Sequence, residues 1–454
     1  MTELFYKVTK FIGVDKAIFY RCSGIMISAV SGILVLALIT LFFTLDEQGV
    51  YYTFSSIAAL QIFFELGLTG IIIQYVAHEV AHLKFKENNL EGAPYYQSRL
   101  ASLLHLFVKW YLITAFLLLF FLMITGWIFF RSYSKDTVLW RAPWIVLCIG
   151  TSLFLVVNML LSFIEGFGYV KEMAKIRTFS SIGSFAAMTV CFISGHGLYA
   201  LGVAGIVKTL ISLEGLRRGK YQDLLFNVWR IRITDKLSYW KEIFPYQWKI
   251  ALSWLSGYFI FHLFSPVLFA FDGAKAAGQM GLTCTVLMAI TGLGLCWINT
   301  KIPMFSMLIA QKDYSALDQI FYRTLKQMIL ITCSLFSIFL LMLTFLSYFS
   351  ISYNDVPLAE RFLPMVPLLF MTLSSIANLW ISSFAVYLRC HKEEPYMWLS
   401  LIFALVSGLA IILLTKYFNM DLMTFVYFII AVISNIYAYI IFKRKKAEWH
   451  DEST

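Results

Sequence analysis

Between Leu60 and His82 the chain reads LQIFFELGLTGIIIQYVAHEVAH, and two kinds of chemistry are conceivable there. His78-Glu79-Val80-Ala81-His82 fits the HExxH spacing. On a helix that spacing puts two imidazoles on one face with a carboxylate beside them, which can hold zinc and a general base. Glu65 is different, a single acid inside an apolar run. In a bilayer a buried carboxylate is costly, so it marks a transport path or an ion pair.

Other polar residues inside apolar runs repeat at helical spacing. Gln61, Glu65 and Thr69 are four apart and stack on one helix face. Arg21, Gly24, Ser28 and Ser31 share a face, as do Asn158, Ser162 and Glu165. Lys208 stands with Ser212, Lys249 with Ser253 and Ser256, and Asn378 with Ser374 and Ser382. Such stripes must face protein or a water-filled cavity. Ser, Thr and Gly also serve plain helix packing in membranes. Arg21, Lys249 and Glu165 lie near helix ends, where long side chains can reach the interface. Glu65 and Lys208 lie deeper and are either functional groups or each other's ion-pair partner.

The elements that carry these residues are membrane helices. The chain has 454 residues, 60% hydrophobic and 14% charged, with 42 Phe. A soluble domain of this size has about 25% charged residues, so this surface must face lipid. Each crossing of a ~30 Å hydrocarbon core takes about 20 apolar residues. Twelve such runs are present: Cys22–Thr44, Tyr51–Ala77, Trp110–Phe130, Ala142–Ile164, Phe179–Ser194, Leu198–Leu216, Ile250–Phe271, Gly278–Ile298, Met328–Phe349, Phe362–Leu388, Met397–Leu414 and Leu422–Phe442. Continuous runs such as FLLLFFLMI exclude a barrel of short alternating strands. The first run is too long for a signal-peptide core and has no small-residue cleavage site. The seven cysteines form no CxxC, so neither a disulfide framework nor a cysteine metal site is indicated.

The net charge of +10 is a topology signal. With the N-terminus inside, cytosolic segments hold 29 Lys and Arg, against six outside: Arg131, Lys135, Arg141, Lys275, Arg361 and Lys416. This asymmetry predicts that both termini are cytosolic, and nucleic acid is not an expected partner. The basic interval 217–249 divides the chain into six-helix halves, 1–216 and 250–454. Their second helices look alike: QGVYYTFSSIAALQIFFELGL ends in Leu-Gly-Leu, as does AGQMGLTCTVLMAITGLGL, and each begins with a Gly expected in a short outside turn. Parallel repeats of this kind place a transporter's substrate site between the halves, near the midplane.

Glu65-Leu66-Gly67-Leu68 after Gly49-Val50-Tyr51-Tyr52 resembles the GxY…(D/E)LGL segment of polysaccharide-export flippases. IFPYQWKIALSWLSGYF resembles the start of their second lobe, and GAKAAGQMGLTCTVLMAI with PMFSMLIAQKDYSAL resembles the segments that follow. The sequence thus resembles the O-antigen flippase branch of the multidrug/oligosaccharidyl-lipid/polysaccharide (MOP) exporter superfamily, over roughly Arg21 to Lys326. It departs at Met280, where Tyr is usual, and at Thr291, where an acid precedes Leu-Gly-Leu. The resemblance implies an all-α polytopic protein of two six-helix lobes, V-shaped like the MATE exporters. It implies a non-enzymatic flippase for a polyprenyl-diphosphate-linked oligosaccharide in the bacterial inner membrane. Membrane lipids would surround it, an ion gradient could drive it, and no cofactor is implied. Arg21, Lys208 and Lys249 are then diphosphate candidates; Gln61, Asn158, Gln247, Trp254 and Asn378 are sugar candidates; Glu65 is a cavity acid.

Three alternatives compete. A cation-coupled exporter of the same superfamily would use Glu65 for coupling. A membrane glycan polymerase or ligase would carry a large outer loop, whereas SISYNDVPLAER is short. An intramembrane metalloprotease would need a third ligand beside HExxH. The nearest resemblance to the Leu-Asp-Gly motif of those proteases, Phe271-Asp272-Gly273, is expected on the opposite membrane surface, so no metal site is expected.

Overall fold

The computed structural model describes residues 32 and 34–451, apart from 81, 87–88, 132–138, 219–220, 300, 354–355 and 392. Arg21 and the first part of the first expected span, residues 22–31 and 33, lie outside the described residues. In chain order the elements are α1 (34–42), α2 (Leu45–Ala58), α3 (Leu68–Val80), β1 (Leu83–Lys86), β2 (Asn89–Gly92), α4 (Pro94–Phe130), α5 (Arg141–Gly166), α6 (Val170–Ile193), α7 (Ala200–Arg217) and α8 (Tyr221–Arg230). Then come α9 (Phe244–Phe261), α10 (Phe264–Phe271), α11 (Ala274–Asn299), α12 (Ile302–Ala310), α13 (Tyr314–Tyr348), α14 (Met365–Cys390), α15 (Met397–Tyr417) and α16 (Met420–Asp451). Two short antiparallel hairpins are the only sheet among the described residues: β1 with β2, and Ser352–Tyr353 with Val356–Pro357. The protein is an all-α polytopic membrane protein. Ten helical stretches among the described residues are long and apolar enough to cross a bilayer, and they match ten of the twelve expected runs.

Several elements differ from the hydropathy reading. The second span is interrupted: α2 is followed by the 3-10 turn Ala59–Gln61, the single turn Ile62–Glu65, and then Leu66 and Gly67 at φ 49° and 70°. A left-handed leucine costs about 1–2 kcal/mol, so apolar composition gave no warning of a break there. The seventh is also interrupted, at His262-Leu263 between α9 and α10. The fifth starts at Val170 rather than Phe179, and α4, α13 and α16 run well past their apolar runs. Helix signals other than hydropathy explain these starts. Pro94 opens α4 at the first helical position, and the Asp313 carboxylate caps α13 by accepting from Ala316 N–H at 3.0 Å.

Two compact units share the chain. The first comprises Met1–Phe43 and Ile57–Trp254, the second Thr44–Ser56 and Leu255–Thr454. The chain therefore passes between units three times, after Phe43, Ser56 and Trp254.

In the first unit, glycines bring α5, α6 and α7 close. A Cβ on Gly150 would lie 2.7 Å from Gly202 O, and one on Gly202 would lie 2.6 Å from Leu147 N. A Cβ on Gly215 would press on Ile176 at 2.9 Å. Small residues let membrane helices pack backbone to backbone, which supplies the dispersion contacts that lipid would otherwise offer. Described residues of the 217–249 interval pack on the same unit. Ser98 Oγ accepts from Thr234 N–H and Asp235 N–H, and Ser102 Oγ from Leu237 N–H. The His105 ring stacks on Trp229 at 3.7 Å.

In the second unit α2 crosses α11. A Cβ on Gly49 would lie 1.9 Å from Ala274 O, and one on Gly278 would lie 2.8 Å from Gly49 N. These are the glycines that open the two look-alike segments. They sit inside helices at one crossing, not in the outside turns expected of them. Gln48 locks the crossing by donating to Gly278 O and Arg361 O, both at 3.0 Å. At the other end of the unit, Phe305, Phe321, Phe384, Tyr387 and Phe442 form a buried cluster. Lys446 closes it with a 2.5 Å ion pair to Asp318.

Candidate functional site

The glycine contacts set up the polar face of α5. Four residues beyond Gly150 is Phe154, and six beyond Gly202 is Lys208. The Lys208 ammonium sits over the Phe154 ring, 4.3 Å from its centroid. Two turns along the same face, Arg177 of α6 donates to the Ser162 hydroxyl at 3.2 Å and forms an ion pair with Glu165. Phe154, Asn158, Ser162 and Glu165 are spaced four, four and three, so they line one face. Half-buried Asn158 therefore lies one turn from each cation's contact. The stripe of Asn158, Ser162 and Glu165 read from spacing exists, and two cations from other helices flank it.

Lys208 and Glu65 form no ion pair among the described residues. The Glu65 carboxylate instead accepts a 2.9 Å hydrogen bond from Thr69 across the Leu66-Gly67 break. The break ends the helical stacking expected for Gln61, Glu65 and Thr69, yet the Glu65–Thr69 contact survives. Gln61 closes the 3-10 turn before it and is half-buried.

Gln247 is 1% exposed, and its Oε1 accepts from Tyr239 OH at 2.7 Å. Its Nε2 is buried with no hydrogen-bond partner among the described residues. Lys249 and Trp254 are placed on α9 by its backbone. Asn378 belongs to the second unit, where it lines a cavity of about 90 Å³ with Ser375, Ser382, Thr291, Cys284 and Tyr427. Its amide donates to Tyr427 OH at 3.4 Å. The serine hydroxyls of this stripe mostly bond back to their own helix: Ser374 to Phe370 O, Ser375 to Met371 O and Ser382 to Asn378 O. Such back-bonding is what packing serines do.

The HExxH residues do not converge on a metal. α3 ends at Val80, and His82 lies in the following turn, stacked on Tyr96 at 4.2 Å. His78 is exposed, whereas Glu79 is 3% exposed and bonded to Arg99 at 2.9 Å. Arg99 also binds Glu242 at 2.7 Å, and Tyr75 OH donates to Glu242 O. No cluster of His, Cys, Asp or Glu among the described residues could hold a metal ion. Burial raises the Glu242 pKa, but the Arg99 and Ser238 N–H donors outweigh it and hold the carboxyl below its ordinary value. Sequence reasoning missed Arg99 and Arg177. Each lies in a helical extension that hydropathy treated as loop.

No protein-family model and no curated protein sequence matches the chain. Among solved structures it is similar to an inward-facing multidrug resistance MATE family transporter of the MOP superfamily. That match has a TM-score of 0.63 and 14% identity, over 94% of this chain and 100% of the other. It is similar to the lipid II flippase MurJ in an inward closed conformation, at TM-score 0.63 and 13% identity over 95% and 89%. A MATE in the straight conformation gives 0.56 and 15% over 96% and 97%. At these identities the likeness is one of fold: the chain has the MATE-like fold of MOP-superfamily transporters.

Proposed function

We propose that this protein is a flippase. Its cargo is a polyprenyl-diphosphate-linked oligosaccharide, the repeat unit of O-antigen or another surface polysaccharide, and it turns the cargo across the bacterial inner membrane by alternating access. The observation that carries the reading is Lys208, an ammonium within membrane helices that rests on an aromatic ring and pairs with no acid among the described residues. A cation held this way is available to a phosphate, which Lys and Arg bind well. Arg177 lies along the same α5 face, with Asn158 between them to hydrogen-bond a sugar. Arg21 and Lys249 are further diphosphate candidates, and Gln61, Gln247, Trp254 and Asn378 further sugar candidates. Residues 1–216 and 250–454 would act as the two lobes, joined through 217–249, with both termini cytosolic. This is transport without covalent chemistry.

A second reading, a cation-coupled exporter, is favoured by one observation. Glu65 stands at a broken membrane helix, where transporters place ion sites.

Surface glycan in a strain lacking the native gene decides between them. For the flippase, Lys208→Ala abolishes surface glycan at unchanged membrane level, Lys208→Arg keeps part of it, and Glu65→Gln is tolerated. Wild-type glycan with Lys208→Ala overturns the cation site. Glycan export unaffected by deleting the whole protein overturns the flippase reading.

A further inference from the structure

We infer that the interval between the two halves is a docking surface for anionic lipid headgroups of the surrounding bilayer. It has its own observations and does not depend on the cargo.

The segment holds eight basic and three acidic residues over 217–249. α8 turns Leu224 and Val228 inward and leaves Phe226 and Trp229 53% and 43% exposed. Arg230 lies over the Phe226 ring, 5.4 Å from its centroid. A second stripe, Trp240, Phe244 and Trp248, is spaced by four and also exposed. The Trp240 and Phe244 rings touch at 4.9 Å. Arg232, Lys236 and Lys241 of the same segment are exposed. Exposed aromatics flanked by cations are the composition of a membrane–water interface.

The depth agrees. Trp229 stacks on His105, and Tyr239 stacks on Trp110 at 5.2 Å, so both are levelled against α4. The outward apolar surface of α4 begins at Leu112, which is 54% exposed. At 1.5 Å per residue, His105 is about 10 Å and Trp110 about 3 Å from that point along the helix. Those are headgroup depths, where the rings can enter the interface while the cations meet lipid phosphates. Acidic groups within the segment do little to compete. Glu242 is held by Arg99, which leaves Asp223 and Asp235.

The test uses the full-length protein in vesicles of phosphatidylcholine alone and in equal phosphatidylcholine and phosphatidylglycerol. Hydrogen exchange over 221–241 is followed by mass spectrometry. Phosphatidylglycerol slows exchange, and raised salt reverses the slowing. Each of Arg230→Gln, Arg232→Gln, Lys236→Gln and Lys241→Gln weakens the protection about fivefold, and together they abolish it. Arg230→Lys with Arg232→Lys retains it, which separates charge from fold. Equal exchange in the two lipids overturns the inference. So does equal slowing by inorganic phosphate in phosphatidylcholine, which would mean a phosphate site. Slowing that tracks protein density at fixed lipid composition also overturns it, because the occupant would then be a second copy.

Discussion

Lys208 and Arg177 engage the same face of α5 two turns apart. Lys208 reaches it at Phe154, and Arg177 at Ser162 and Glu165. Eight residues separate Phe154 from Ser162, about 12 Å of helix. Of the two, only Lys208 has no carboxylate partner among the described residues. Arg177 is balanced by Glu165, so the two cations should fail differently when removed.

Arg177→Ala leaves the Glu165 carboxylate without its donor. The pair is partly exposed, so the cost is about 1–2 kcal/mol. Melting in detergent should fall for Arg177→Ala and recover in the Arg177→Gln, Glu165→Gln double variant. Lys208→Ala should leave melting unchanged. A large melting loss for Lys208→Ala would mean that Lys208 has a structural partner.

The Glu79–Arg99–Glu242 chain predicts a different ranking. Arg99→Ala strands two carboxylates, one of them buried, and should cost about 3–5 kcal/mol. Glu79→Ala should cost about 1–3 kcal/mol, and His78→Ala nothing measurable. Metal analysis of purified protein should find no stoichiometric zinc. Zinc lost on His78→Ala would overturn the structural assignment of this motif.

Glu242 also gives a pH dependence. Its folded pKa is depressed, so its contribution is complete above the unfolded value of about 4.3 and is lost as pH falls through the lower folded value. The stability gap between wild type and Glu242→Gln should stay constant from neutral pH to about 5 and close below 4. Chemical denaturation across that range measures it. A gap that widens on acidification contradicts the sign.

Gly49→Ala should impair accumulation, because its Cβ would overlap the Ala274 carbonyl and only a backbone shift relieves that. Gly257→Ala, with nothing within 4 Å, is the control and should be neutral or slightly stabilising. Immunoblots of membrane fractions would show the difference. Equal accumulation of the two variants would mean that the α2–α11 crossing can shift freely.

Reporter fusions test the orientation. Fusions at Gly92, Gln222 and the C-terminus should read cytosolic, and one at Tyr353 external. A cytosolic signal at Tyr353 would break the twelve-span topology.

Much of the fold was legible because lipid enforces simple rules. Long apolar runs announce spans, and the four-residue spacing of Asn158 and Ser162 announces a face. What stayed hidden depended on partners far along the chain. Glu79 looks like a metal-site acid until Arg99 and Glu242 are beside it. Gly49 looks like a turn residue until Gly278 and Ala274 press on it. Arg177 follows Lys171 and Lys175, so local charge outweighed the helix that continues through it. At Leu66 the signal was misleading, since leucine is a strong helix former.

That leucine has a practical side. A left-handed backbone favours glycine, and leucine holds it at a cost in folding free energy. Leu66→Gly would relieve that strain, although it also removes a half-buried side chain from the break beside Glu65. If the relief is the larger effect, the substitution gives a hardier specimen for purification and crystallisation. If such a specimen still exports glycan, the rigid leucine was incidental. If it melts later but exports nothing, the native chain has surrendered durability at this point for the sake of turnover.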